Sequence, residues 1–233
     1  MTLPNIEFIA HQDTPTGTLI LSKRPNPSEP GATVTELALD HEFLMSSHVT
    51  FSERALSRVA LEMHTGKELQ VLVGGLGLGY TAWEVVQSPR VARVEVVELE
   101  AAVVQWMKEG LVPLSDQLAA EPRVEIVNED VFAKLASAPS ETLYDLILID
   151  VDHSPAQHLG NSQNDVFYTA EGLRAARRHL APGGVFGVWS YAESSPFAAA
   201  LREVFREVRV EPVPFTNDIA EQEATDWLFF ARD

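Results

Sequence analysis

The sequence predicts an α/β fold, a doubly wound and mostly parallel sheet preceded by a small N-terminal β element. Three observations predict it. From Leu69 onward, short apolar runs alternate with helical stripes; the first run ends in the glycine cluster Gly74, Gly75, Gly77 and Gly79; and later runs end in Glu98, Asp130 and Asp150. Strands alternating with helices imply a parallel sheet whose ligand crevice lies at the strands' carboxyl ends. At 233 residues the chain holds one large domain with an appendage, which we divide as a β element over 1–49 and a main domain over 50–233.

Each element follows from local pattern. Leu19 to Lys23 and Val34 to Leu39 are β-prone runs separated by Pro25, Pro27, Pro30 and Gly31, too short together to form a core of their own. Thr50 and Glu53 have the spacing of a capping box ahead of Leu56, Val59, Ala60 and Met63, which share a helical face until Gly66. Leu69 to Val73 is a continuous apolar run, as expected of a parallel strand buried on both faces. The helix after the glycines stops at Ser88 and Pro89, and Val91 to Val97 is the second strand. A stripe of Ala102, Val103, Trp106 and Met107 follows, then strands at Val124 to Val127 and Leu143 to Ile149. A helix between Thr169 and His179 is expected to end before Pro182, Gly183 and Gly184, with Val185 to Trp189 as a fifth strand. Ser195 and Pro196 open a last helix, and Val208 to Val210 and Trp227 to Ala231 are the closing strands.

Charge narrows the partners. Lys and Arg number 17 against 34 Asp and Glu, a formal net charge of −17. That field repels phosphate backbones and anionic lipid, so no nucleic acid or membrane partner is expected and cationic or neutral small molecules are. No apolar run approaches the roughly 20 residues of a membrane span, and Glu7 stands where a signal peptide needs an apolar core; a cytoplasmic location is the expectation. Without cysteine there is no disulfide, thiolate nucleophile or Cys-ligated metal.

The strand ends carry the chemistry. A dinucleotide fingerprint counted from Gly75 needs its third glycine at Tyr80, so a nicotinamide or flavin dinucleotide is disfavoured. The G-x-G-x-G that remains either admits a nucleoside close to the backbone or is simply a tight strand-to-helix turn. Glu98, about 20 residues on, is placed to accept from a ribose diol, or else is a solvated strand terminus. Asp130 accepts from an adenine amine, with Leu99 or Val131 against the ring, or caps the next helix. Asp150 leaves a hydrophobic strand partly desolvated, which suits a base for an amine nucleophile; its other reading is a loop-organising acid. Asp150-Val151-Asp152 also has the form of a metal-holding D-x-D, with His153 and His158 nearby, but the histidines have no ligand spacing and no metal is expected. The polar stretch from Val151 to Val166 is long enough for a lid over the crevice.

Taken together, these residues resemble the spermidine synthase-like branch of the class I S-adenosylmethionine-dependent methyltransferase fold, a Rossmann-like architecture. The similarity runs from about Val34 to Asp233 and rests on Gly74 to Gly79, Val97 to Glu100, Asn128 to Asp130, Tyr144 to Asp150, Phe167 to Thr169 and Leu180 to Gly184. It implies that Glu98 holds the ribose, that Asp130 meets the adenine amine, and that Asp150 is the aminopropyl-transfer base with Asp152 as the second acid. It also implies S-adenosylmethionine or its decarboxylated form as cofactor, a small-molecule amine acceptor, and a homodimer joined through the N-terminal element. Three positions depart from the pattern: an acid usual in the glycine loop is Leu78, the second acid after the fourth strand is displaced to Asp152, and the tyrosine usual near the lead-in helix is Ala55 or Leu56. Ordinary methyltransferases favour an acid where Val73 stands. Aminopropyl transfer is the leading expectation, with methyl transfer and a catalytically inactive binding or assembly protein as the alternatives, and a glycosyltransferase last.

Overall fold

The computed structural model describes residues 6–26, 28–40, 42–151, 155, 163–217 and 222–233. Its elements in chain order are β1 (Glu7–Thr14), β2 (Gly17–Pro25), β3 (Thr33–Leu39), β4 (Glu42–Ser46), α1 (Phe51–Met63), β5 (Leu69–Gly74), α2 (Tyr80–Val86), β6 (Val91–Glu98), α3 (Ala101–Lys108), α4 (Ser115–Ala120), β7 (Val124–Asn128), α5 (Val131–Ala136), β8 (Tyr144–Ile149), α6 (Gln163–Phe167), α7 (Ala170–Arg177), β9 (Leu180–Ser190), α8 (Ser195–Val204), β10 (Glu207–Asn217) and β11 (Gln222–Arg232).

The first four strands form an antiparallel sheet in sequence order, and the rest form a sheet ordered β10-β11-β9-β8-β5-β6-β7. In the larger sheet β9, β8, β5, β6 and β7 run parallel, and the β10-β11 hairpin joins antiparallel at the β9 edge. The chain moves from β5 outward to β6 and β7, then returns to the other side of β5 with β8. The carboxyl ends of β5 and β8 therefore mark the switch point where such a sheet opens a crevice. Leu72, Val73, Leu146, Ile147, Leu148 and Ile149 have no exposed surface, so both faces of these strands are covered. Leu19, Leu21 and Leu37 of the small sheet belong to the same packed core as Leu76, Leu78 and Leu56, which seats that sheet against the glycine turn. No helix among the described residues is long and apolar enough to cross a membrane.

Several expected boundaries move, each for a physical reason. The α7 helix stops at Arg177, and Pro182 to Gly184 lie inside β9 instead of breaking the chain before it. The register jumps from Tyr144↔Leu180 to Leu146↔Val185 and Gly183 has φ +77°, so these residues make a bulge. The closing strands are longer than expected because Pro212 and Pro214 lie in β10, the sheet's edge strand, where a missing N–H is tolerated. β1 and β4, edge strands of the small sheet, lack the apolar alternation that marks a strand, and five of the eight residues of β1 are exposed. Thr50 makes no cap: its hydroxyl accepts from Arg54 Nε at 3.0 Å, and Glu53 turns inward on the face of Leu56 and Ala60.

The turn from β5 into α2 requires glycine at one point above all. Gly75 has φ +97°, and a Cβ there would stand 2.0 Å from the carbonyl oxygen of Asp150. The two strand ends lock in this approach, the Asp150 amide donating to the Gly74 carbonyl at 2.7 Å and the Gly75 amide to the Val97 carbonyl at 2.8 Å. Gly75→Ala is expected to lower the unfolding free energy by about 3 kcal/mol, from backbone strain and collision together, as read by urea denaturation.

Candidate active site

Of the expected residues, Glu98, Val131 and Asp150 stand against the glycine turn. Glu98 ends β6 at 8% exposure, and both its oxygens are engaged: Oε2 accepts from the Leu76 amide and Oε1 from the Glu100 amide, each at 2.7 Å. It is thus no solvated strand end. Burial pushes its carboxyl above the usual range, opposed by the backbone N–H groups of Glu100, Leu76 and Gly77. Three backbone N–H groups on its two oxygens leave one lone pair for a hydroxyl donor. Leu99 beside it is 56% exposed, an apolar side chain left open next to a buried acid.

Asp130 serves as a helix cap in this structure. Its Oδ1 accepts from the amides of Phe132 and Ala133 at 2.8 and 3.2 Å, while Oδ2 has no hydrogen-bond partner among the described residues. Val131 is 5% exposed and packs where a Gly74 Cβ would stand, so of the two apolar residues expected against a ring only Leu99 presents open surface. Asn128 binds the β6 end to the β7 end, its amide donating to the carbonyls of Glu98 and Leu99 at 2.8 and 2.9 Å. Gly77 and Gly79 have positive φ and face Met45 and Leu118 respectively. The cradle is shaped by the chain's own packing, and its acceptors Glu98 and Asp130 Oδ2, with the exposed apolar side chain of Leu99, are of the kind an adenosine would engage.

Asp150 lies on the other side of the turn, and sequence reasoning missed its company. The Thr81 hydroxyl of α2 bonds its Oδ2. Glu53 of α1 and Asp226 of β11 stand close enough for their charge to act on this group or on each other. The Ser52 hydroxyl links those two, at 2.6 Å from Asp226 Oδ2 and 3.2 Å from Glu53 Oε2. Glu53 and Asp226 are 7% and 8% exposed, and no lysine, arginine or histidine pairs with any of the three carboxyls among the described residues. Burial is the main cause of their shared shift: the Asp150 carboxyl is pushed up to about 6 and that of Glu53 to about 8, with Asp226 raised as well. Ser52 carries one proton for two carboxyl oxygens, so the full network needs one of those acids to hold a proton itself.

A signal for these residues exists in the sequence. Glu53 falls on the apolar stripe of its helix, three and seven residues before Leu56 and Ala60, and Asp226 shares strand parity with Leu228 and Phe230 on the face that α1 covers. Asp152, His153 and His158 lie outside the described residues, as does most of the expected lid. A cavity of 450 Å³ lined by His48, Val49, Phe51, Pro214, Phe215 and Thr216 opens beside the start of α1.

The raised carboxyls fix a pH dependence. An acid with a higher pKa folded than unfolded keeps a proton in the native state that the unfolded chain sheds. Its stabilising contribution is complete below the unfolded value and is lost as pH rises through the folded one. Stability should fall from about pH 5 to about pH 8, by up to roughly 1.4 kcal/mol per pH unit for each such group. Glu53→Gln should flatten that slope and raise stability at the alkaline end, as measured by urea unfolding across this range.

The family described as the spermine/spermidine synthase domain matches residues 50–207. Polyamine aminopropyltransferase 2 of Pseudomonas aeruginosa is 34% identical over 172 residues, 68% of this chain and 46% of the relative. The polyamine aminopropyltransferase of Prochlorococcus marinus is 34% identical over 150 residues, 64% of this chain and 47% of the relative. The chain thus spans about half the length of the curated relatives it matches. Among solved structures, spermidine synthase from Thermotoga maritima superposes with a TM-score of 0.75 at 19% identity, covering 97% of this chain and 72% of that one. A spermidine synthase in complex with the transition state analogue AdoDATO gives 0.75 at 21% identity, covering 97% and 73%. With the matched segment covering more than half of the chain, from the start of α1 to the start of β10, the chain belongs to the spermine/spermidine synthase family.

Proposed function

We propose that the chain transfers an aminopropyl group from decarboxylated S-adenosylmethionine to a polyamine or diamine. The observation that carries this reading is the set of Glu53, Asp150 and Asp226, buried together beside the glycine turn with no cation among the described residues to neutralise them. Burying acids together is costly, and a cationic amine is the ligand that offsets that cost. The net charge of −17 favours the same ligand at long range. The names of the curated relatives support it further.

In this reading Glu98 binds the ribose diol, Asp130 Oδ2 meets the adenine amine and Leu99 covers the ring. Glu53 and Asp226 hold the cationic acceptor. Asp150 takes the proton that the amine sheds as the new C–N bond forms and the C–S bond to the sulfonium breaks, its electron pair staying on sulfur as a neutral thioether. Catalysis then rests on alignment and on a base able to accept a proton near neutrality, both of which the chain's own residues supply. The same reading takes the chain as a homodimer joined through the small sheet, whose Phe8 and Phe43 are 74% and 56% exposed.

Methyl transfer from S-adenosylmethionine is the second reading, and Leu78 favours it. That side chain has no exposed surface, so the turn offers no acid to the donor's own ammonium.

Incubation with each donor and a panel of diamines, followed by mass spectrometry, separates the two. An acceptor heavier by one aminopropyl group is expected, and an acceptor heavier by one methyl would replace this reading with the second. Absence of product with either donor, despite nucleoside binding, would identify a non-catalytic binding protein. Asp150→Asn should lower kcat/KM by about 10²- to 10⁴-fold while the donor still binds.

A further inference from the structure

Thr81 has only 3% of its surface exposed, one residue into α2, and its place is fixed from both sides. Glu84 of the same helix pairs with Arg54 at 2.9 Å and Arg58 at 2.6 Å, both on α1. The Ser57 hydroxyl donates to the Thr81 carbonyl at 2.8 Å, which closes a clamp between the two helices. The Thr81 hydroxyl therefore meets two acceptors with little freedom to leave: Asp150 Oδ2 and the Glu53 backbone carbonyl, the latter at 3.2 Å. Asp150 Oδ1 keeps no hydrogen-bond partner among the described residues.

We propose that Thr81 is a positioning residue for Asp150, its hydroxyl claiming Oδ2 so that the carboxylate stays ionised and presents Oδ1 to the proton leaving the acceptor amine. This rests on the reading of Asp150 as the base for that amine. A hydroxyl has one proton, and the two acceptors give it one use in each state of the acid. While Asp150 is charged, the donation is charge-assisted and strong. Once Asp150 has taken the amine proton, the bond to Oδ2 weakens. The hydroxyl then has the Glu53 carbonyl to turn to, and no buried donor is stranded. Asp226 faces the same carboxylate with negative charge from β11 and pushes it toward protonation, while Glu53 of α1, its own carboxyl raised by burial and by Asp150, holds its proton more tightly than Asp150 does. The Thr81 hydroxyl acts against burial and Asp226 together.

Thr81→Val keeps the shape and removes the hydroxyl, Thr81→Ser keeps the hydroxyl, and Thr81→Ala is the fallback should the valine variant not fold by circular dichroism. Two readouts separate the questions. The first is ¹³C NMR titration of the Asp150 carboxyl in the free protein, assigned with Asp150→Asn, which needs no turnover. The second is kcat/KM against pH with decarboxylated S-adenosylmethionine and a diamine. Loss of the hydroxyl should raise the Asp150 titration by about one pH unit and carry the acid limb of the rate profile with it. Activity should drop about tenfold on that limb and return at alkaline pH, and Thr81→Ser should restore both. An unchanged Asp150 titration, or an activity loss equal at every pH, overturns the proposal and leaves Thr81 as a link between helices. A wild-type protein without turnover overturns the aminopropyl reading instead, while the NMR titration still decides what Thr81 does.

Discussion

The site depends on one close approach, that of the Gly75 backbone to the Asp150 carbonyl. A side chain at residue 75 would place carbon 2.0 Å from that oxygen, so β5 and β8 can end side by side only with glycine there. The approach sets the position of everything that follows. It aims the Leu76 amide at Glu98, starts α2 where Thr81 reaches Asp150, and leaves Gly77 room for Met45 of the small sheet. The N-terminal strands are thus part of the turn's support, an arrangement reinforced where the Thr16 hydroxyl donates to Glu100 Oε1 at 2.6 Å.

Against that scaffold the acids are held at a cost. Buried carboxylates without cations are unfavourable by several kcal/mol when charged, and proteins relieve this by protonation or by donors. Both devices operate here. Glu98 receives backbone N–H groups and remains the most fully bonded of the acids, whereas Glu53 and Asp226 share a single serine hydroxyl. The two halves of the crevice therefore have different characters: a finished, hydrogen-bonded half beside β6 suited to hydroxyl donors, and a half beside α1 and β11 whose acids pair with no cation among the described residues.

The sequence displays the first half far better than the second. Parallel strands buried on both faces give unbroken apolar runs, and the acids at their ends stand out against them, so β5, β6, β8 and Glu98, Asp130 and Asp150 are legible from local pattern alone. Glu53 is hidden by a local coincidence. Its spacing from Thr50 satisfies a capping box, yet Thr50 binds Arg54 and the glutamate turns toward the sheet. Asp226 lies 76 residues beyond Asp150 in a strand of aromatic residues, and only the antiparallel pairing of β11 with β9 brings it under α1. Long-range pairing of this kind leaves no trace in a window of local sequence, and the β10 prolines obscured the hairpin as well.

Leu78 and Asp226 are better understood together than apart. Leu78 sits in the shared core with Leu56 and Leu21, and packing there excludes a charge. The spermidine synthase pattern carries an acid in that turn, so this chain has less negative charge on the donor side of the crevice. Asp226, beside Ser52 and the proton-retaining Glu53, places it on the side of α1 and β11. Charge attracts an amine to wherever it is buried most deeply and neutralised least. On the proposed reading, the acceptor would be the more strongly held of the two substrates, and the donor would rely on its adenosine, through Glu98, Asp130 and Leu99, for most of its binding.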